Sequence, residues 1–250
     1  MRKTSKKMKL KILILIMIAF LFCNCNQTKK NDLTVEQIWN SYLEQYGNQK
    51  EIDKVTSIVQ VSRSKLVKLN RVGTIESTLK NGKIRLHYID EQLDVTTVYD
   101  GSNFVRYCNG EKQEVLKMEE IVIKQYADFF HERNYLKHGY NIKLVGNDMI
   151  KNKPVYIVEY YSKDCSSLYY IDKKDFSIMR IKNKEQDLWP IEIKSKDGIK
   201  YISKMISIDE YDTNEIDVIS IDFNKEINDS FFQLNEAPST QGKNPLIFKK

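Results

Sequence analysis

"VYDGSNFVRY", residues 98–107, decides how the chain is read. Asp100 and Gly101 stand between two apolar, β-branched runs, so Asp100 is either a chemical group or the corner of a hairpin. The two runs can pair with one another, and Asp-Gly supplies the positive φ angles that a tight turn between antiparallel strands needs. The turn accounts for both residues without chemistry. The surrounding chain repeats the pattern: "VTSIVQVSRSKLVKLNRVGTIESTL", "KIRLHYI", "LDVTTVY" and "NFVRYC" keep a period of two and are divided by "KNGK", "DEQ" and "DGS". Farther along, "YNIKLVG", "PVYIVEYY", "SLYYID", "SIMRIKN", "IEIK", "KYISKMISIDEY" and "EIDVISIDF" read as strands in the same way.

Two stretches break this period. "LTVEQIWNSYLEQYG" (33–47) sets Thr34 and Gln37 at capping-box spacing, places Leu33, Ile38, Tyr42 and Tyr46 on one side, and stops at Gly47. That is the pattern of an amphipathic helix. "KMEEIVIKQYADFFHERNYLKHG" groups Ile121, Tyr126, Phe129 and Phe130 at helical spacing and predicts a second helix with Gly139 as its stop. About ten antiparallel strands with two helices imply one large sheet, which must curl and bury a face to be stable.

The formal net charge of +6 points to an anionic partner until its location is considered. Six of the 40 lysines and arginines lie in "MRKTSKKMKLK", ahead of the apolar run "ILILIMIAFLF" (12–22); the other 34 equal the 34 acidic residues. A cationic n-region followed by an apolar run too short to span a bilayer is a secretory signal. The mature chain is then near neutral, and the electrostatic case for nucleic acid disappears. The run ends in "FCNCNQ", with two cysteines where a small-residue cleavage site is expected. This predicts a lipoprotein-type signal over residues 1–25, ending at an acylated Cys25 (or Cys23), since Asn24 is a better predecessor than Phe22. Several acyl chains would hold the protein firmly to a membrane, whereas one binds only marginally. An uncleaved anchor or a plain secretory signal would also place the domain outside the cytoplasm.

The rest divides into a tether, "NQTKKND" (26–32), a single domain over 33–234, and an extended tail over 235–250. Cys108 and Cys165 each stand beside a hairpin turn, and nothing in the sequence shows whether those turns meet, so a disulfide is left open.

Signs of catalysis are sparse. The three histidines are His87, His131 and His138. "HERNYLKH" lacks the i, i+4 pair of a zinc-protease helix, and alternation puts His87 on the Arg85 side of its strand as a solvated sheet histidine. No G-x-S-x-G elbow, phosphate loop, dinucleotide glycine cluster or calcium loop is present. The expectation is a non-enzyme with no cofactor and no metal.

The order of elements, helix, strands, "VYDGSNFVRYCNG", helix, "YNIKLVGNDMIKNKPVYIVEYY", "SLYYIDKKDFSIMRIK" and "ISIDFNKEINDSFFQL", resembles the LolA/LolB-like superfamily, in particular its outer-membrane lipoprotein-sorting group, over roughly residues 33–234. The resemblance implies a mainly β (α+β) fold: a half-open, strongly curved antiparallel sheet or barrel of about ten to eleven strands, covered by two or three helices around an apolar hollow. The family's hollow-lining positions fall on Ile84, Leu86 and Tyr88; alternation adds Val95, Phe104, Ile157, Leu168 and Tyr170. The family's basic residue followed by proline is replaced here by Lys80 and Asn81, a departure that puts the carrier's transfer mechanism in doubt. An anchored chain suits a receptor better than a shuttle.

The implied protein is a lipid-anchored, periplasm-facing envelope lipoprotein that binds acyl chains of lipids or lipoproteins as a monomer. The asparagine after either candidate cysteine favours the outer membrane. The alternative is a protein-interaction or envelope-stress-sensing module on the same fold with a filled interior.

Overall fold

The computed structural model describes residues 33–233; the expected signal with Cys23 and Cys25, the tether and the tail lie outside the described residues. Helix α1 (Val35–Glu44) and the single turn α2 (Gln49–Ile52) come first. Six strands follow, β1 (Ser57–Leu66), β2 (Arg71–Lys80), β3 (Lys83–Ile89), β4 (Asp94–Tyr99), β5 (Phe104–Cys108) and β6 (Glu111–Gln113). Helix α3 (Lys117–Ala127) and a 3-10 turn (His131–Asn134) lead to β7 (Asn141–Ile150), β8 (Lys153–Tyr161), β9 (Ser166–Asp172), β10 (Ile178–Lys182), β11 (Asp187–Lys196), β12 (Ile199–Ile208) and β13 (Thr213–Phe223). A last 3-10 turn spans Asp229–Phe232.

The strands form one 13-stranded sheet in the order β6-β5-β4-β3-β2-β1-β13-β12-β11-β10-β9-β8-β7, antiparallel throughout. It consists of two meanders joined where β1 pairs with β13, and it does not close, since β6 and β7 form its two edges. The half-open curved sheet is therefore the architecture, with 13 strands where about ten to eleven are expected from turn signals. One extra strand arises because "SIVQVSRSKL" and "RVGTIESTLK" are separate: Asn70 takes a φ of 49° in "VKLN", a turn with no glycine or proline to announce it. The other is the three-residue β6.

Two kinds of hairpin corner shape the meanders. Asn81-Gly82 (φ 49°, 74°), Asn109-Gly110 (51°, 84°), Lys151-Asn152 (48°, 63°) and Asp197-Gly198 (52°, 77°) are two-residue loops with both φ positive, the mirror turns whose twist matches that of paired strands. The opening corner is of the second kind. Positive φ falls on Gly101 (99°) and not on Asp100, whose carboxylate instead accepts the N–H groups of Ser102 (2.8 Å) and Asn103 (2.7 Å). Asp90, Asn183 and Asp209 do the same for the N–H groups two and three residues on. Asp100 is thus a corner, as its sequence predicts, but by accepting hydrogen bonds where a two-residue turn would use its φ.

The chain between β6 and β7 must travel from one edge of the sheet to the other, and α3 and the 131–134 turn lie on that crossing. The predicted second helix accordingly stops at Asp128 (φ −95°, ψ 105°), well before Gly139, and buries Ile123 and Ala127, while Tyr126 stays 52% exposed. On the other side of the sheet Ile227 and Phe232, from the segment after β13, close over Val59, Val98 and Val105.

Candidate functional site: the side of the sheet beneath the helices

Cross-strand partners point to one face of a sheet, so register assigns every side chain to a side. Ile58, Leu79, Ile84, Tyr99 and Phe104 form one such row across β1 to β5. Helix α3 packs on it through Ile123 and Ala127, with Leu86 and Phe129 alongside. Glu119 ties the helix down, accepting from Arg106 Nη1 at 2.7 Å and from the N–H of Leu116 at 2.9 Å.

A second row runs Leu66, Asn214, Ser207, Leu188, Ile181, Tyr169 and Val158 across β1 and β13 to β8. Leu66 and Ile58 lie an even number of residues apart on β1, so both rows belong to the same side. Helix α1 packs there: the Trp39 ring lies 5.4 Å from Tyr160 in a stacked arrangement and 5.0 Å from Tyr169 edge-on, and Trp39 is 0% exposed. Sequence periodicity selects Ile38 and Tyr42 on this helix and misses Trp39, although Ile38, Trp39, Tyr42 and Leu43 are all buried.

Register separates the eight predicted lining residues. Ile84, Leu86, Tyr88, Val95 and Phe104 come together on the helix side, Tyr88 paired with Val95. Ile157, Leu168 and Tyr170 lie on the opposite side, in a cluster with Ile150, Val155, Met179 and Trp189. Arg180 covers this outer cluster, 4.6 Å from the Trp189 ring and 5.1 Å from Tyr170, while its Nε donates to Asp187 at 2.7 Å. In these strands the helix side is taken by Val158, Tyr160, Tyr169 and Ile171, one position out of step with the prediction.

Between the two flanks the helix side carries small side chains. Ser62, Ser64, Ser203 and Ser207 are buried there, next to Gly73 and the half-buried Ile75, Tyr88, Met205 and Ile216. Polar groups collect at the α1 end. Glu132 accepts from the Tyr169 hydroxyl at 3.1 Å, its backbone carbonyl accepts from Trp39 Nε1 at 3.3 Å, and the hydroxyls of Tyr42 and Tyr46 are 2.6 Å apart. Burial pushes the Tyr42, Tyr46, Tyr160 and Tyr169 hydroxyls up, and the Glu132 carboxylate adds to each shift. Arg133 turns the other way, to Gln49 Oε1 and the Leu43 carbonyl, both at 2.6 Å. There it lines a depression of about 600 Å³ with Glu44, Asn48 and Gln49, a recess suited to polar groups.

The histidines stay apart. His87 lies on the outer side with Asp94 (2.9 Å) and Glu76 (3.8 Å), His138 meets Asp128 at 2.7 Å, and His131 stands edge-on to Tyr160. Among the described residues no group of three or more His, Cys, Asp or Glu side chains is placed to hold a metal ion. Cys108 and Cys165 are free thiols; Cys165 lies 3.3 Å from the Tyr140 hydroxyl.

No protein-family model and no curated protein matches this sequence. Solved structures match the fold. A DUF1329 family protein from Desulfovibrio piger superposes with a TM-score of 0.52 at 12% identity, over 80% of this chain and 97% of that one. A LolA superfamily protein from Nitrosomonas europaea gives 0.51 at 12% identity over 80% and 98% of the two chains. A "putative outer membrane lipoprotein-sorting protein domain" from Vibrio parahaemolyticus gives 0.50 at 12% identity over 80% and 95%. The architecture is thus shared with LolA-like proteins.

Proposed function

We propose that the chain is a lipid-anchored protein of the bacterial envelope that holds acyl chains of lipids or lipoproteins between the sheet and its helices, without chemical turnover. The observation that carries this reading is the change in side-chain size along the helix side: large aromatic and aliphatic groups meet helices on both flanks, and serines and a glycine occupy the strands between them. The acyl chain would lie against Leu86, Tyr88, Val95 and Ile75 on one flank and Met205 and Ile216 between the flanks, all of which face the helix side. Each methylene buried in such a place contributes about 0.8 kcal/mol, so part of one acyl chain gives useful affinity without specific polar contacts. The shared architecture supports the reading, since one solved structure of this fold carries the description "putative outer membrane lipoprotein-sorting protein domain".

Acylation at Cys25 (or Cys23) would fix the domain to a membrane, the outer one by the following asparagine, and makes it a monomeric receptor in preference to a shuttle. Mass spectrometry of an organic extract of the purified full chain tests the proposal. Lipid in stoichiometric amount, beyond the covalent anchor, is the expected result. A folded protein that releases none would leave the protein-interaction module as the better reading.

A further inference from the structure

The two edges of the sheet are not finished alike. At one edge β6 is three residues long, and Glu111, Lys112 and Gln113 are all exposed and polar. At the other, β7 runs for ten residues from Asn141 to Ile150 without a proline, and Leu144, Val145 and Met149 are 37%, 43% and 58% exposed. An edge strand of that length offers its unpaired backbone groups to any extended strand that fits. Which groups are offered follows from β8. Pro154 has no N–H and gives its carbonyl to the N–H of Lys173, on the β9 side, so Met149 across from it directs its own N–H and C=O to the open edge. Alternation adds Asn147 and, beyond the extra residue Val145, Leu144 and Ile142. In the single chain the Met149 N–H is met by the Asp148 carboxylate, 2.7 Å away, a side chain standing in for a strand.

We propose that β7 pairs with β7 of a second copy of the chain, antiparallel and about a two-fold axis that passes between Val145 and Gly146, so that two sheets become one. The strand complements itself in this register. Ile142 lies opposite Met149, Lys143 opposite Asp148 and Leu144 opposite Asn147, and the symmetry repeats each pair. The residues whose backbone groups point to the edge meet one another, Ile142 with Met149 and Leu144 with Asn147, as hydrogen-bonded pairs require. The sides agree as well. In an uninterrupted strand Lys143 and Asp148 would face opposite sides of the sheet; the bulge at Val145 puts both on the outer side, since their partners on β8 are Glu159 and Val155. Ile142 and Met149 share the helix side for the same reason, opposite Tyr160 and Pro154. Opposite charges therefore face each other across the junction at both ends, and apolar side chains meet beside them. The groups that could compete are engaged: the Arg180 charge that reaches Asp148 is paired with Asp187, and Glu159, beside Lys143, accepts from the Ser166 hydroxyl. The pairing goes beyond the acyl-binding reading and revises the expectation of a monomer. Each copy keeps its own helix side, so the binding unit remains one chain.

Sedimentation equilibrium of the full chain in a non-ionic detergent, over a range of protein concentrations, tests the pairing. A monomer-dimer equilibrium is expected for the unaltered chain. Lys143→Asp sets carboxylates against one another at both ends of the junction, and Asp148→Lys does the same with ammonium groups, so each variant alone should pair about tenfold more weakly. An equimolar mixture of the two variants should regain most of that loss, because in the mixed dimer every residue 143 faces an opposite charge at 148. Circular dichroism checks that each variant is folded. A chain that stays monomeric at every concentration would overturn the proposal and leave the β7 edge to a strand of another protein. A dimer that neither variant weakens, or a mixture that pairs no better than its components, would overturn it too. The acyl-binding reading stands or falls separately, on the lipid extract.

Discussion

Asp90 and Asp100 hold the same position in two hairpin corners and differ in what else reaches them. Each carboxylate accepts two backbone N–H groups of its own loop. At Asp100 those N–H groups, Asn103 foremost, hold the carboxyl below the usual range against burial, with help from the Asn103 side chain and the Lys83 charge. Asp90 also takes the Tyr88 hydroxyl at 2.5 Å and an ion pair with Arg71, with its side chain only 1% exposed. Burial alone would raise Asp90, but the donors from Tyr88, Gln92, Leu93 and Arg71 outweigh it and hold the carboxyl far below the ordinary value. Burial and the Asp90 charge in turn push Tyr88 up to about 12. A carboxyl depressed by folding contributes stability that is fully present above its unfolded value of about 4 and is lost as pH falls through the folded value. Asp90→Asn should therefore cost roughly 2–4 kcal/mol at pH 7 and flatten the loss of stability below about pH 4. Urea midpoints from pH 7 down to 2.5 check this, and parallel curves for the two proteins would refute it. The corner role of Asp100 was legible in "DGS" because turn chemistry is local. The Tyr88–Asp90–Arg71 network was not, since Arg71 joins it from the neighbouring strand, 19 residues back in the chain.

At the scale of elements, legibility depends on whether one face or two are covered. In β3, "KIRLHYI", apolar residues alternate with Arg85 and His87, so the side that Ile84, Leu86 and Tyr88 share can be read from the sequence. In β8 and β9, "PVYIVEYY" and "SLYYID" are apolar in both registers because both sides are packed, Val158 and Tyr169 under α1, and Ile157 and Tyr170 in the outer cluster with Trp189. Periodicity carries no information about facing in such strands, and only pairing with β10 and β11 settles it. Helix α1 is the complement: ten residues long, marginal on its own, and held by its aromatic face. Trp39 touches Tyr42, Tyr135, Tyr160 and Tyr169, so it joins α1 to β8, β9 and the crossing segment together. Trp39→Ala should destabilise the protein by about 3–5 kcal/mol, and Trp39→Phe by clearly less. Denaturation followed by far-ultraviolet circular dichroism gives both values; a cost under about 1 kcal/mol for the alanine variant would mean that α1 is not held in this way.

The whole molecule turns on a pairing that no local signal announces. Each meander is a chain of sequential hairpins, and turn residues mark nearly every one, but β1 finds β13 only when residues near 58 and 223 meet. That seam makes one sheet of two halves, and it places α1, which precedes β1, over strands from the second half. It also obliges the link between β6 and β7 to cross the sheet, which brings Glu132 and α3 to the helix side. Forming the seam requires closing most of the chain into a loop, so it reports on global unfolding, whereas the edge strands can fray on their own. In native-state hydrogen exchange, amides of β1 and β13 should be the slowest group and exchange with the free energy of complete unfolding, and those of β6 should be the fastest among the strands. The outward-facing amides of β7 should exchange early as well, since β8 is its one pairing partner in the sheet. If the seam instead exchanges before the interior strands of either meander, the halves open as independent units, and a lipid held between them would have to be gripped by one half alone.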